Sequence, residues 1–346
     1  MTILELLVAF MVLLMLVGAL VTLTTRSLDT WTSGETRKEM YDRARTVLDA
    51  VAEDLRNVYA ENEVVAVQGR QLQVPLFASD LDRNRAQRLR FVRTGNPAAM
   101  KVPAGQPQSL TPAAYYTPLW EVAYVMHPDG KPEFYRGVRG FDRQPNNNLL
   151  RPPLHYNSGD PGFQQRFGVV ETGILYVGFK FWTQYTNTWD DTARLQRVAP
   201  NQRTPSGPER VWDSSRRVDP KFYLHRRAFD LMNPDFVYPE IVEVTVVAES
   251  GSPETTGVKL MEGVDDKGSA MLRLSHTRGL PDAPGMVKVE GEWIEYGDKT
   301  GGELLNLTRG SRQTAAGSHA AGTPVRFGET FVTEVRIAVY REAQEP

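Results

Sequence analysis

Close to its start the chain carries eighteen residues without a charge, Leu6 to Leu23 (LLVAFMVLLMLVGALVTL). At ~1.5 Å of rise per residue, this run spans about 27 Å as a helix, close to the hydrocarbon thickness of a bilayer. Past Arg26 the pattern becomes amphipathic. Apolar residues recur at Met40/Tyr41, Ala44, Val47/Leu48, Val51, Leu55 and Val58/Tyr59, a helical repeat, while Asp42, Arg43, Asp49, Glu53, Asp54 and Arg56 take the other face. The spacing predicts one helix from Met1 to about Tyr59, on the order of 90 Å long. A soft point or bend is expected at Thr32-Ser33-Gly34, where glycine weakens helices. No bilayer is that thick, so the second half must pack on a water-soluble domain.

From Glu63 the period drops to two. Glu63–Gln68 and Gln71–Phe77 flank a Gly-Arg turn, and Arg88–Arg93 alternates apolar with basic residues. Trp120–Met126 and Pro132–Val138 predict a hairpin around His127-Pro128-Asp129-Gly130-Lys131. VVETGILYVGFKFWTQY (Val169–Tyr185) reads as a single long strand, and Ile241–Ala248 and Phe331–Tyr340 as two more. Gln144–Pro161 and Ala199–Pro220 read as surface excursions. Ser250 to Gly328 differs in texture, with short strands, frequent glycines and the hairpin-like YGDKTGGELL. It interrupts two strands that would otherwise be near neighbours, and so reads as a β-rich insertion.

The expected fold class is therefore α+β: a long N-terminal helix, membrane-spanning then amphipathic, packed on an antiparallel sheet that carries a β-rich insertion. The expected divisions are 1–26 for the apolar helix and 27–62 for its amphipathic continuation. Residues 63–249 with 329–346 make the sheet domain, and 250–328 the insertion.

Composition narrows the chemistry. Hydrophobic residues make up 41% and charged residues 24% of the 346, values of a folded protein. The net charge of −2 gives no electrostatic reason to expect nucleic acid as a partner. With no cysteine, disulfide frameworks, thiolate metal sites and cysteine nucleophiles are excluded. No basic residue precedes the apolar run, unlike a cleavable signal peptide, so the run is expected to be retained as a membrane helix.

Glu5 then stands out. A charge inside a membrane segment costs about 2.5–3.5 kcal/mol at the helix centre, less near an end, and usually finds a partner. The nearest cation is the α-amine of Met1. Two readings stay open: Glu5 favours the positive end of its own helix and approaches its own amine, or it meets the amine of a neighbouring copy and sets the stagger of bundled helices.

Thr2-Ile3-Leu4-Glu5-Leu6-Leu7-Val8-Ala9 resembles the mature start of type IV pilins and type II secretion pseudopilins. The resemblance implies a basic leader removed by a prepilin peptidase, with numbering from Met1 fitting the processed subunit. It also implies N-methylation of Met1, and assembly guided by Met1 and Glu5. Leu6, Leu7, Phe10, Leu13, Leu14, Leu16 and Leu20 would line the filament core. Met stands at the first position, where phenylalanine is commoner. Three later stretches, in order, are similar to J-type minor pseudopilins: WEVAYVMHPDGKPEFYRGVRG, LYVGFKFWTQYTNTW and YPEIVEVTVVAE. The chain departs from that pattern in size, in the insertion, and in having Thr22 where many major pilins carry a helix-breaking proline. The insertion around GEWIEY and LTRG is similar to glycine-rich β modules of phage-tail and surface proteins, a likeness that transfers no function.

Enzyme motifs are missing. The sequence has no G-x-S-x-G, Walker A loop, H-E-x-x-H or C-x-x-C, and GDKTGG (Gly297–Gly302) reads as a hairpin turn. His127, His155, His225, His276 and His319 lack metal-ligand spacing. Asp80-x-Asp82-x-Asn84 opens like a calcium loop, but Arg85 stands where glycine is needed; Arg83, Arg85 and Arg88 are expected to pair with the acids, and Asp265-Asp266 reads as a turn. No cofactor is expected; calcium stays open only because members of the resembled family bind it. Tyr176, Phe179, Phe181, Trp182, Tyr185 and Trp189 form an aromatic strip in which Phe179, Phe181 and Tyr185 share a face and are read as core.

The expected function is assembly, not catalysis: a structural subunit of a type IV pilus-like filament or type II secretion pseudopilus. Its expected partners are other copies or pilin-like subunits, the prepilin peptidase, an inner-membrane platform with its ATPase, and lipid before assembly. Its head would be periplasmic or at the cell surface. The alternatives are a minor tip pseudopilin and a single-pass anchored extracytoplasmic binding module.

Overall fold

The computed structural model describes residues 3–60, 64–67, 70–73, 76–82, 85–95, 119–141, 149, 161–183, 188–190, 212–213, 238–251, 253–265, 269–312 and 314–338. In chain order these form α1 (Ile3–Arg56), β1 (Val64–Val67), β2 (Arg70–Gln73), β3 (Phe77–Leu81), β4 (Gln87–Thr94), β5 (Leu119–Met126) and β6 (Glu133–Gly140). There follow α2 (Pro161–Arg166), β7 (Phe167–Thr172), β8 (Ile174–Thr183), β9 (Thr188–Asp190), β10 (Trp212–Asp213) and β11 (Ile241–Glu249). The last part comprises α3 (Pro253–Thr256), β12 (Met271–Arg273), β13 (Gly285–Val289), β14 (Glu292–Lys299), β15 (Glu303–Ser311), β16 (Val325–Arg326) and β17 (Gly328–Arg336). The chain is α+β, with one long N-terminal helix and antiparallel sheets.

The helix is continuous through Gly34, where a bend was expected. Its threonines stay helical by turning their hydroxyls onto the preceding turn: Thr32 donates to the Leu28 carbonyl at 3.0 Å and Thr36 to that of Thr32 at 2.9 Å. The helix ends at Arg56, a few residues early. Val58 bridges Arg93, and the Tyr59 amide donates to the Val92 carbonyl at 2.8 Å, so 58–59 are already sheet-bonded.

The predicted single sheet is divided: β1 and β2 pair only with each other, and the remaining strands of the sheet domain form two larger sheets. One runs β10-β3-β4-β5-β6-β7 and the other β17-β11-β8-β9. The expected long strand Val169–Tyr185 is accordingly split at Gly173: β7 pairs with β6 in the first sheet, and β8 pairs with β11 and β9 in the second. Gly173, between the two strands, has φ of 69°, a left-handed conformation that favours glycine. Gln87 joins the sheets. Its amide donates to Ser79 Oγ at 2.9 Å and to the Phe179 carbonyl at 3.1 Å, and accepts from the Phe179 amide at 2.8 Å.

Met40, Ala44, Val47, Val51 and Leu55 of α1 enter one core with Phe77, Leu89, Phe91, Tyr124 and Phe134 of the first sheet. The same core holds Val177, Phe179, Phe181, Val242, Val244 and Val335 of the second. Phe179 and Phe181 are thus core residues; Tyr185 lies outside the described residues.

Strands β11 and β17 pair from Ile241↔Arg336 to Glu249↔Gly328. Between them the chain leaves to form a sheet of its own, β12-β15-β14-β13-β16, over a separate core of Val258, Leu260, Leu272, Val287, Ile294, Tyr296, Leu304 and Val325. Gly328 belongs to the returning strand: a Cβ there would strike the Ala248 backbone. Of the GDKTGG segment, Gly297–Lys299 end β14 and Thr300-Gly301-Gly302 make the β14–β15 turn. The expected excursions 144–161 and 199–220 lie outside the described residues except Leu149, Pro161, Trp212 and Asp213, as do His155, His225 and Tyr340.

Candidate functional site

The part of the molecule with no covering is the N-terminal half of α1. Leu7, Phe10, Leu13, Leu14, Leu16 and Leu20 are each 55–62% exposed, and Ile3, Met11, Met15, Val17 and Leu23 are exposed beside them. These side chains face every direction around the helix, so the segment has no polar side to offer water. Burying each one contributes about 1.5–3 kcal/mol. The helix is long and apolar enough to cross a membrane.

Its threonine hydroxyls are already bonded. Thr22, Thr24 and Thr25 donate their hydroxyls to the carbonyls of Gly18, Leu20 and Val21 at 2.8, 2.9 and 2.6 Å. A helix so bonded can enter hydrocarbon up to Arg26 with no open donor among these side chains. Glu5 lies on this segment, in the first turns of α1, and Leu6 follows it; Met1 lies outside the described residues. The structure therefore places the predicted core-lining residues on one helix, with Leu7, Phe10, Leu13, Leu14, Leu16 and Leu20 exposed.

The other half of α1 is fastened by a buried carboxylate that sequence reading assigned to the polar face. Asp54 is buried. It accepts from Arg93, from Arg136 Nε and Nη2 at 2.7 and 2.8 Å, and from the Tyr124 hydroxyl at 2.5 Å. Burial, then the Asp54 charge, pushes the Tyr124 phenol well above its usual range, so it stays a donor. Burial acts to lower the Arg136 pKa, but its bonds to Asp54 and the nearby Tyr124 outweigh this and raise it. A second buried acid, Glu121, takes Arg90, Arg139 at 2.5 Å and the Leu149 amide at 2.8 Å. The basic residues of β4 at 90 and 93 are buried for this reason.

The insertion is clamped to the second sheet. The Arg312 guanidinium lies 4.1 Å from the Tyr176 ring centroid and 4.6 Å from that of Trp293, and Trp293 packs with Leu175 and Val247. Lys288 donates to the Leu175 carbonyl at 3.1 Å; burial, with Arg326 nearby, lowers its pKa to about 8. Arg326 pairs with Glu249 at 3.0 Å across the root of the insertion. Burial raises the Glu249 pKa against the pull of that arginine.

Within the insertion, Glu292 accepts from Arg309 at 2.6 and 2.7 Å and from the amides of Gly310 and Gly317 at 3.0 and 3.1 Å, with His319 Nε2 at 2.8 Å. Burial opposes its charge, yet these donors win and hold its pKa down to about 2. His319 is thus engaged with acids, and His127 lies 3.8 Å from Glu133. Asp80 binds Arg88 through both oxygens at 2.7 and 2.5 Å, and Asp82 accepts the Ala86 amide at 2.8 Å. Asn84, Arg83 and Asp266 lie outside the described residues. Among the described residues no group of three metal-ligating acids, histidines or cysteines converges.

No protein-family model matches the chain, and no curated protein matches it.

Proposed function

We propose that the chain is a structural subunit of a type IV filament, pilus-like or a type II secretion pseudopilus, that acts by assembly and not by catalysis. The observation that supports this most is a single helix with two halves of opposite character. Its second half is locked into the head, while its first half, carrying Glu5, is apolar on every side and naked. Such a segment needs lipid or neighbouring helices around it. In this reading it waits in the inner membrane after prepilin peptidase has acted and Met1 has been methylated. An ATPase-driven platform then moves it into a bundle of like helices, where Glu5 meets a neighbour's Met1 amine and the head faces out.

The insertion favours a second reading, a single-pass anchored binding module, because it has its own core and a fixed attachment. Glu5→Leu separates the two. A filament subunit should still float with membranes but no longer enter sheared filaments, whereas a tethered module should keep membrane yield and whatever its head does. Wild-type assembly by Glu5→Leu would falsify the pairing.

A further inference from the structure

We propose that Trp31 lies in the lipid headgroup layer and, with Arg26, sets the height at which the head stands above the membrane. This rests on the membrane-held subunit proposed above. Because α1 is unbroken, residue number along it measures height at ~1.5 Å per residue. The hydrocarbon-compatible part extends beyond Leu23, since the hydroxyls of Thr24 and Thr25 are bonded to their own helix. Leu6 to Thr25 then measures about 30 Å, the thickness of a bilayer's hydrocarbon core. Arg26, the first charge after the run, marks its outer edge, where a long basic side chain reaches the phosphates.

Trp31 stands five residues further on, roughly 7.5 Å, and a headgroup layer is about 5–8 Å deep. It is 70% exposed, with Leu28 one turn before it also exposed, whereas Trp120, Trp212 and Trp293 are buried. Among the described residues the head closes on α1 further along: Arg37 pairs with Glu329 at 3.0 Å, and Met40 is the first buried residue of the helix. An indole has an apolar body and one donor, and the aromatic belts of membrane helices sit at headgroup level for that reason. The stretch between Trp31 and Arg37 is then a stalk of about 9 Å between lipid surface and head.

The test uses the full-length chain in phosphatidylglycerol/phosphatidylethanolamine vesicles. The fluorescence lost in Trp31→Phe isolates this indole from the other five of the six tryptophans. That component should be blue-shifted, and quenched about two-fold or more better by lipids brominated near the glycerol than near the methyl ends. Emission typical of water, quenched by acrylamide and by neither brominated lipid, overturns the proposal. So does quenching strongest at the methyl ends, which would put Trp31 in the hydrocarbon. Flotation is read on the same samples: protein that does not float at all removes the membrane-held subunit itself, a failure distinct from a misplaced Trp31.

Discussion

An aspartate near the end of a solvent-facing helix is normally cheap to change, but Asp54 is not solvent-facing. It is buried and collects two guanidinium groups and a phenol from three strands. Removing its charge leaves Arg93 and Arg136 facing a neutral group in a poorly hydrated place, and breaking a buried pair from one side costs about 3–5 kcal/mol. Asp54→Asn should therefore lower the urea midpoint of the head strongly while leaving flotation with vesicles unchanged. A shift within the error of neighbouring surface variants such as Asp49→Asn would show that the cluster contributes nothing net. The position was readable: Asp54 follows Val51 by three residues, the spacing that keeps two side chains on one helix face. What hid it was residue type, since an acid in an apolar stripe makes sense only once Arg93 and Arg136 are known to come from strands far along the chain.

At the scale of elements, short-range patterns were legible and long-range pairings were not. The hairpin β5–β6 and the turn at GDKTGG announce themselves in neighbouring residues. The division of Val169–Tyr185 is not visible in the sequence because alternation continues across Gly173; it shows in the positive φ there and in the different partners of β7 and β8. The end of β15 and the loop after it are a similar case, held to β14 by Glu292 through bonds to Arg309 and Gly310 on the strand and to Gly317 and His319 in the loop. Here a pH dependence follows. The Glu292 carboxyl titrates near 2 in the folded insertion, against the ordinary 4.5 expected once it unfolds. As pH falls below about 4.5 the unfolded chain takes up the proton first, so this contribution to stability, complete above that value, is lost between about 4.5 and 2. Thermal unfolding of the insertion should fall steeply across that window, and Glu292→Gln, less stable at pH 7, should flatten the slope. An equal slope in the variant would mean that other carboxylates carry the acid sensitivity.

For the whole molecule, the division of labour visible in the sequence is a division of cores. The uncharged run and the glycine-rich stretch were recognisable because each is a local change of composition, whereas the split into two sheets depends on remote contacts such as Gln87 on Phe179. The β11–β17 ladder runs on to Glu249↔Gly328, and most of the insertion's apolar residues pack on one another. Replacing residues 250–327 by an Asn-Gly turn should then close a simple hairpin. The shortened chain loses the cover on Leu175, Val247 and Tyr176, which costs about 1.5–3 kcal/mol for each large apolar side chain uncovered. It should nevertheless unfold in one cooperative transition at a lower midpoint, float with vesicles as before, and, if the head domain alone suffices for assembly, still enter filaments. The excised stretch, expressed alone, should show its own cooperative transition. If neither fragment folds, the clamp of Arg312, Tyr176 and Trp293 holds up two cores that are each too weak, and the insertion is a structural half of the head instead of a module carried on it.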